Sequence, residues 1–291
     1  MRLPLVLILL TSTAASANEY QSITQLSHSN FDEVMSTDNS TAINSVYYFD
    51  KKRALGPLSE FEYINTTNNV FGSYFNNSDS NFAFGGQVFY DQWQVGGAYI
   101  TNDSDHIDAS QTEFTLGYLL TQNLLINVSH NRVDGDYKFI YSGGGTESFS
   151  DSQTYLGAQY THALQGKDYI GVTVDVESGL DSISASTKYF SHLGDERYVA
   201  IGLRLSDFED VKPVVGVEGT YYFNQQSSLF AQVIRNTEFD VTSTVIGGQH
   251  FVNQNWALSL SYMSNEVETY DGMATIVKNA NALTFAITAQ F

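Results

Sequence analysis

The sequence has no cysteine, little proline and an unusually small charged fraction. Among 291 residues there are 3 Pro, and Asp, Glu, Lys and Arg together make up 15% of the chain. The absence of cysteine excludes disulfides, thiolate metal sites and cysteine nucleophiles. A charged fraction well below the roughly 25% of typical soluble domains argues against a coiled coil or a helical bundle.

Positive charge is scarce as well. The chain has 13 Lys and Arg against 32 Asp and Glu, which gives a formal net charge of −19. Such a protein repels phosphate backbones, and no run of basic residues offsets that repulsion locally. We therefore expect no nucleic-acid partner.

A long apolar run is also missing after the first residues of the chain. Residues 1–17 contain Arg2, an apolar run from Leu3 to Leu10 and a small-residue ending, Ala15-Ser16-Ala17. This is the layout of a secretory signal peptide that is cleaved after Ala17. The alternative is an uncleaved anchor, but the run is much shorter than the roughly 20 residues that a membrane-spanning helix needs. We predict a cleaved signal peptide at 1–17 and a single domain at 18–291.

Aromatic residues are abundant, with 19 Tyr and 19 Phe, and apolar residues recur at every second position. Trp256–Tyr262 places Trp, Leu, Leu and Tyr on one face and Ala, Ser and Ser on the other. The same alternation is found at 114–120, 170–177, 199–205 and 283–291. A helix would spread both sets around its circumference, so this pattern predicts β-strands throughout the chain.

The composition of the two faces distinguishes a membrane barrel from a soluble sandwich, which alternates too. The polar face is mostly Gly, Ser, Thr, Gln and Ala, whereas a soluble sandwich usually exposes Lys and Glu. Aromatic residues lie near the expected strand ends, in the pairs Tyr47 and Phe49, Tyr90 and Trp93, Tyr221 and Phe223, and Phe251 and Trp256. Membrane–water interfaces select such rings. We therefore predict an all-β, transmembrane antiparallel β-barrel whose apolar face contacts lipid.

Counting the alternating segments predicts about 16 strands, with 14 or 18 as alternatives. Short polar links alternate with longer ones at 29–41, 134–149 and 266–279, as short periplasmic turns and longer external loops do in such barrels. Segment 58–76 is predicted as the third strand. Alternatively it breaks at 65–69 into a hairpin, and 19–28 then stays outside the barrel.

Closure and width lead from the predicted fold to a function. An open sheet edge in lipid would leave backbone groups unpaired at several kcal/mol each, so the first and last strands must pair. A barrel with this number of strands is wide enough for an aqueous channel, whereas eight strands would be filled by their own side chains.

Two stretches carry a resemblance to a known family. The last strand, with Phe285, Ile287 and Phe291, resembles the C-terminal signal by which bacterial outer-membrane barrels are recognised for assembly. Ala289 departs from that signal, which often has an aromatic residue there. Val46-Tyr47-Tyr48-Phe49 followed by Gly56-Pro57-Leu58-Ser59-Glu60-Phe61 resembles the early turn of the general porins of Gram-negative gammaproteobacteria.

The resemblance implies a porin of the bacterial outer membrane, a passive diffusion channel that needs no cofactor. It also implies partners: outer-membrane lipid and lipopolysaccharide, the barrel assembly machinery, small hydrophilic solutes and a possible homotrimer. General porins have a long third loop folded into the pore, and segment 134–149 is the candidate for it. A loop that stays outside the pore is the alternative.

Extending the alternation along the strands places six charged side chains on the lumen face: Glu113, Asp175, Glu177, Lys188, Arg204 and Glu218. Charges that line a water-filled pore are hydrated and set its ion preference. Four acids against two bases predict a weak cation preference. The alternative is that several of these charges form ion pairs across the lumen and brace the wall.

Two other functions are compatible with the sequence. One is a barrel that serves adhesion or envelope structure through its external loops. The other is an outer-membrane hydrolase, for which Ser129-His130-Asn131 collects suitable residue types, although successive strand residues point to opposite faces. The spacing of the six histidines matches no metal motif, so we predict no catalytic and no metal site.

Overall fold

The computed structural model describes residues 19–32, 37–77, 79–104, 106–139, 145–208, 211–238, 241–270 and 275–291. The predicted signal peptide at 1–17 lies outside these residues. Sixteen β-strands make up the architecture: β1 (Glu19–Asp32), β2 (Thr37–Arg53), β3 (Asn69–Asn76), β4 (Ser80–Tyr90), β5 (Trp93–Asp103), β6 (Ile107–Thr121), β7 (Leu124–Phe139), β8 (Gly145–Ala163), β9 (Tyr169–Glu177), β10 (Ser182–Gly194), β11 (Arg197–Phe208), β12 (Val211–Tyr222), β13 (Ser227–Asn236), β14 (Val241–Phe251), β15 (Trp256–Tyr270) and β16 (Thr275–Gln290).

The strands form one closed antiparallel barrel in which each strand pairs with its neighbours in sequence. β1 and β16 close the ring, in a register that runs from Ile23 opposite Gln290 to Asp32 opposite Asn281. The prediction of sixteen strands is therefore confirmed. The alternative that leaves 19–28 outside the barrel is wrong, because residues 23–28 pair with both β16 and β2, and Glu19, Tyr20 and Ser22 pair with β2. Over the described ranges, no helix is long and apolar enough to cross a membrane.

The outer face of the barrel is apolar and exposed. Large side chains there include Phe114 (54% exposed), Leu203 (52%) and Leu260 (54%). Such a surface is unfavourable in water and suits contact with acyl chains. Trp93 and Tyr118 pack with ring centroids 4.8 Å apart, and Tyr221 and Phe223 pack at 5.0 Å. These rings lie near strand ends, as the belt at a membrane interface requires.

The two ends of the barrel differ. We name one the turn end: it carries both ends of the described chain and the connections at 91–92, 122–123 and 195–196. The opposite end is the loop end. The prediction of a long loop at 134–149 is wrong for the described residues, because β7 continues to Phe139 and β8 begins at Gly145, paired throughout. The expected loop at 266–279 is also shorter, since β15 runs to Tyr270 and β16 begins at Thr275.

The predicted third strand is the largest error. Only residues 69–76 form β3, and segment 54–68, which connects β2 to β3 at the turn end, is not a strand. Pro57 has no amide hydrogen to donate to a sheet, which is consistent with this departure from strand pairing. A smaller correction concerns Phe251, which is 2% exposed and packs with Tyr20 and Leu58 inside the barrel instead of joining the aromatic belt.

Candidate functional site

Segment 54–68 crosses the lumen at the turn end. It leaves the wall between β2 and β3 and contacts residues of β9, β10 and β12. Because β10 is eight strands from β2 in a ring of sixteen, these contacts lie on the opposite wall. The segment therefore bridges the barrel and narrows its bore.

Glu60 anchors the segment to that opposite wall. Its carboxylate is buried, with 3% of the residue exposed. Lys188 donates to Oε1 at 2.6 Å, Tyr169 donates its hydroxyl to the same oxygen at 3.0 Å, and Tyr222 donates to Oε2 at 2.9 Å. A buried carboxylate is tolerated only when it is paired and hydrogen-bonded, and here both oxygens are satisfied from three different strands.

Tyr63 makes a second contact with the same wall. Its hydroxyl lies 2.7 Å from Oγ1 of Thr173, and its ring lies directly over Gly171. A Cβ atom at Gly171 would come within 2.5 Å of the ring, so only glycine leaves room for this approach. The wall is therefore shaped to receive the segment.

Apolar packing and backbone contacts hold the rest of the segment. Leu58 is 2% exposed and packs in a cluster with Tyr20 and Phe251. Its amide donates to the carbonyl of Gln225 at 2.9 Å, and its carbonyl accepts a hydrogen bond from Gln290. At the β3 side, Nε2 of Gln87 donates to the carbonyl of Asn65 at 2.8 Å. The segment is thus a packed element, fixed from several strands.

The six charged residues predicted for the lumen are all placed on the inward face by the strand register. Five of them lie on four consecutive strands: Asp175 and Glu177 on β9, Lys188 on β10, Arg204 on β11 and Glu218 on β12. Glu113 lies on β6, away from the others, and accepts a hydrogen bond from Thr115 at 3.2 Å. The five share the wall that receives segment 54–68.

The six differ in what they contact. Lys188 forms an ion pair with Glu60 of segment 54–68, and among the described residues no ion pair joins two of the six charges. Glu218 accepts from Gln232 at 3.2 Å. Across the described residues, Arg204 makes no hydrogen bond and no ion pair.

Sequence reasoning missed the carboxylate at the centre of this arrangement. Glu60 and its partners Tyr169 and Tyr222 are not among the predicted site residues, because the alternation pattern assigns 58–76 to a strand. Two signals were available: Pro57 near the start of that stretch, and the asparagines at 65, 68 and 69, which favour turns.

The residues considered for hydrolysis do not converge on one face. Ser129 and Asn131 lie on the inward side of β7, and His130 lies outward, with Nδ1 2.9 Å from Oγ1 of Thr154. In the part of the chain that the structure describes, no three His, Asp or Glu side chains are grouped as a metal site.

Comparison with known proteins gives one family match and several similar folds. A family model described as "putative general bacterial porin" matches residues 2–283. No curated protein sequence matches the chain. The outer membrane protein Omp33 of Acinetobacter baumannii superimposes with a TM-score of 0.57 at 15% identity, covering 95% of this chain and all (100%) of Omp33. CdiB of the same species gives a TM-score of 0.58 at 11% identity, covering 93% of this chain and 60% of CdiB.

These findings agree with the geometry. At 15% and 11% identity the two solved structures show the fold alone, that of an outer-membrane barrel. The family match spans nearly the whole chain and points to a channel in preference to an enzyme. The chain belongs to the family of general bacterial porins, and it is a sixteen-stranded barrel of the outer membrane.

Proposed function

We propose that the protein is a passive, water-filled diffusion channel for small hydrophilic solutes and ions, with a weak preference for cations. One observation carries the proposal: a closed barrel of sixteen strands encloses a bore, with an apolar face outside and a polar one inside. A barrel of this strand number is wider than its own side chains can fill. Segment 54–68 crosses that bore and makes the turn end its narrow part.

The cation preference is supported by the charges that stay available to solutes. Glu60 neutralises Lys188. The other predicted lumen charges are one base, Arg204, and four acids: Glu113, Asp175, Glu177 and Glu218. Hydrated carboxylates in a pore attract cations and repel anions.

Single-channel recording in planar bilayers under a salt gradient tests both parts. We expect discrete conductance steps and a reversal potential displaced towards that of the cation. The combined change Glu113→Gln, Asp175→Asn and Glu218→Gln should move the reversal potential towards zero. A folded protein without conductance steps would contradict the channel and favour a role in adhesion or envelope structure. An unchanged reversal potential in the variant would contradict the assignment of these residues.

The remaining proposals concern export and assembly. We propose that residues 1–17 are removed and that the domain 18–291 enters the membrane with the turn end towards the periplasm, where such barrels have their short turns. Phe285, Ile287 and Phe291 are the residues through which the barrel assembly machinery would receive the chain. Outer-membrane lipid and lipopolysaccharide would contact the apolar face. The homotrimer that the resemblance implies stays a prediction, which mass measurement in detergent checks.

A further inference from the structure

A small recess opens in the lumen wall beside segment 54–68. It has a volume of about 190 Å³ and is bordered by Tyr63, Lys188, Arg204, Glu218 and Gln232. This volume is below the roughly 300 Å³ at which pockets for drug-sized ligands begin, so only a small solute fits. The recess faces the bore from the loop side of the Lys188–Glu60 ion pair, because Arg204 lies further along β11 towards the loop end.

Two glycines shape the recess. A Cβ atom at Gly202 would come within 2.6 Å of Glu218, so the absence of a side chain there leaves the space that Glu218 occupies. Gly216 lies opposite Arg204 in the strand register and adds no side chain between Arg204 and Glu218. No side chain from these two positions therefore fills the space between the guanidinium of Arg204 and the carboxylate of Glu218.

The charges at the two sides are opposite and are not paired with each other. Arg204 and Glu218 are diagonal neighbours on β11 and β12, a relation that puts positions about 7–8 Å apart. No nitrogen of Arg204 lies within 4.0 Å of an oxygen of Glu218. The guanidinium has no partner among the described residues, and the carboxylate has only Gln232. Lys188 adds little net charge here, because Glu60 neutralises it.

The chemistry of the two groups defines the solute. A guanidinium binds a carboxylate through two parallel hydrogen bonds, and a carboxylate accepts hydrogen bonds from an ammonium group. A simple anion would meet repulsion from Glu218, and a simple cation from Arg204. We infer that this recess is a binding site for small zwitterionic solutes of the amino-acid class, with the solute carboxylate at Arg204 and its ammonium at Glu218. The inference rests on the proposed function, since the solute reaches the site through the open bore.

Uptake into liposomes that contain the full-length channel tests the site. L-alanine, glycerol and lactate have the same number of non-hydrogen atoms. L-alanine is a zwitterion, glycerol carries no charged group, and lactate is an anion. We expect L-alanine uptake to saturate with concentration, while glycerol and lactate uptake rises linearly. Excess L-serine should compete with labelled L-alanine, and excess glycerol should not; this comparison needs no variant.

The variants Arg204→Gln and Glu218→Gln should each weaken the apparent affinity for L-alanine about tenfold, the loss of one charge-assisted hydrogen-bond pair, and leave glycerol uptake unchanged. Unchanged glycerol uptake also shows that the variant barrel is folded. Arg132→Gln and Glu19→Gln serve as matched controls, because these residues carry the same charges outside the recess and pair with Asp134 and Lys51. Both controls should keep the affinity of the unmodified channel.

Three results would overturn the inference. If glycerol enters the liposomes and L-alanine uptake does not saturate, the binding site is contradicted and the proposed channel is not. Saturable uptake of both L-alanine and lactate, lost only in Arg204→Gln, would replace the zwitterion site by a general carboxylate site. The absence of uptake for all three solutes would contradict the proposed function, and the site with it.

Discussion

At the scale of single residues, the lumen is organised by a buried carboxylate. Glu60 is the point where segment 54–68 meets the far wall, and its side chain is 4% exposed, against 30% for that of its partner Lys188. The two partners therefore differ in how easily each could reach water if the ion pair were broken. An unpaired Lys188 can turn its ammonium towards the water of the bore, whereas an unpaired Glu60 stays buried with only two tyrosine hydroxyls.

This inequality gives a prediction for the two single substitutions. Lys188→Gln should destabilise the attached position of the segment by about 3–5 kcal/mol, the usual cost of breaking a buried ion pair from one side. Glu60→Gln should cost less, because the uncharged amide can accept a hydrogen bond from one tyrosine through its oxygen and donate through its NH2 to the hydroxyl of the other. Chymotrypsin cleavage at Phe61 or Tyr63 in the folded barrel measures detachment.

The control for these two variants is Lys138→Gln, which removes a partly exposed lysine that pairs with Asp108 and Asp103 at the loop end. Exposed pairs contribute at most about 1 kcal/mol, so cleavage in the control should match that of the unmodified protein. Faster cleavage in Glu60→Gln than in Lys188→Gln would contradict the proposed asymmetry.

At the scale of the element, segment 54–68 differs from every strand around it. Strands are fixed by continuous backbone pairing, whereas this segment is fixed chiefly by side chains: the Glu60 hydrogen bonds, the packing of Leu58 and the contact of Tyr63 with Thr173. We therefore expect the sheet register to stay intact when the segment is replaced by another sequence.

Replacing residues 55–64 with a Gly-Ser sequence of equal length should increase single-channel conductance, because the anchors to the far wall are lost and the bore widens. The midpoint of thermal unfolding should fall as the apolar cluster around Tyr20 loses its partner. The same replacement at 178–181, a connection at the loop end, is the matched control and should leave the conductance unchanged. An unchanged conductance in the 55–64 variant would show that this segment does not limit ion flow.

At the scale of the whole molecule, the barrel depends on one seam. β1 and β16 come from opposite ends of the chain, and their pairing removes the last open edge from the lipid. Phe291 completes the seam: its carbonyl accepts from the amide of Ser22 at 2.7 Å, and its ring packs on Trp256 with centroids 5.8 Å apart.

Deletion of Phe291 should lower the fraction of folded barrel in the outer membrane, since both this closure and the proposed assembly signal are lost. The shift in gel migration between heated and unheated samples measures that fraction. Phe114→Ala is a matched control that removes an exposed aromatic ring from the middle of the outer face. An equal loss of folded barrel in both variants would contradict a specific role for the last residue.

The sequence by itself determined the barrel, because its information is local and repeated. Side chains alternate between two faces in every strand, so Trp256–Tyr262 or Leu283–Phe291 reveals lipid side and lumen side without any knowledge of the neighbours. The requirement that no backbone edge be left in lipid then predicted closure, and the number of alternating segments predicted about sixteen strands, which the ring confirms.

Only the tertiary structure decided what lies inside the barrel. The partners of Glu60 are 109 to 162 residues away along the chain, and Glu60 reaches them only because the closed ring places β10 opposite β2. Alternation told which face Lys188, Arg204 and Glu218 occupy, but it gave no information on which charge is neutralised and which stays open to a solute. Those differences arise from contacts across the bore, and a pattern of period two describes only a strand and its two faces.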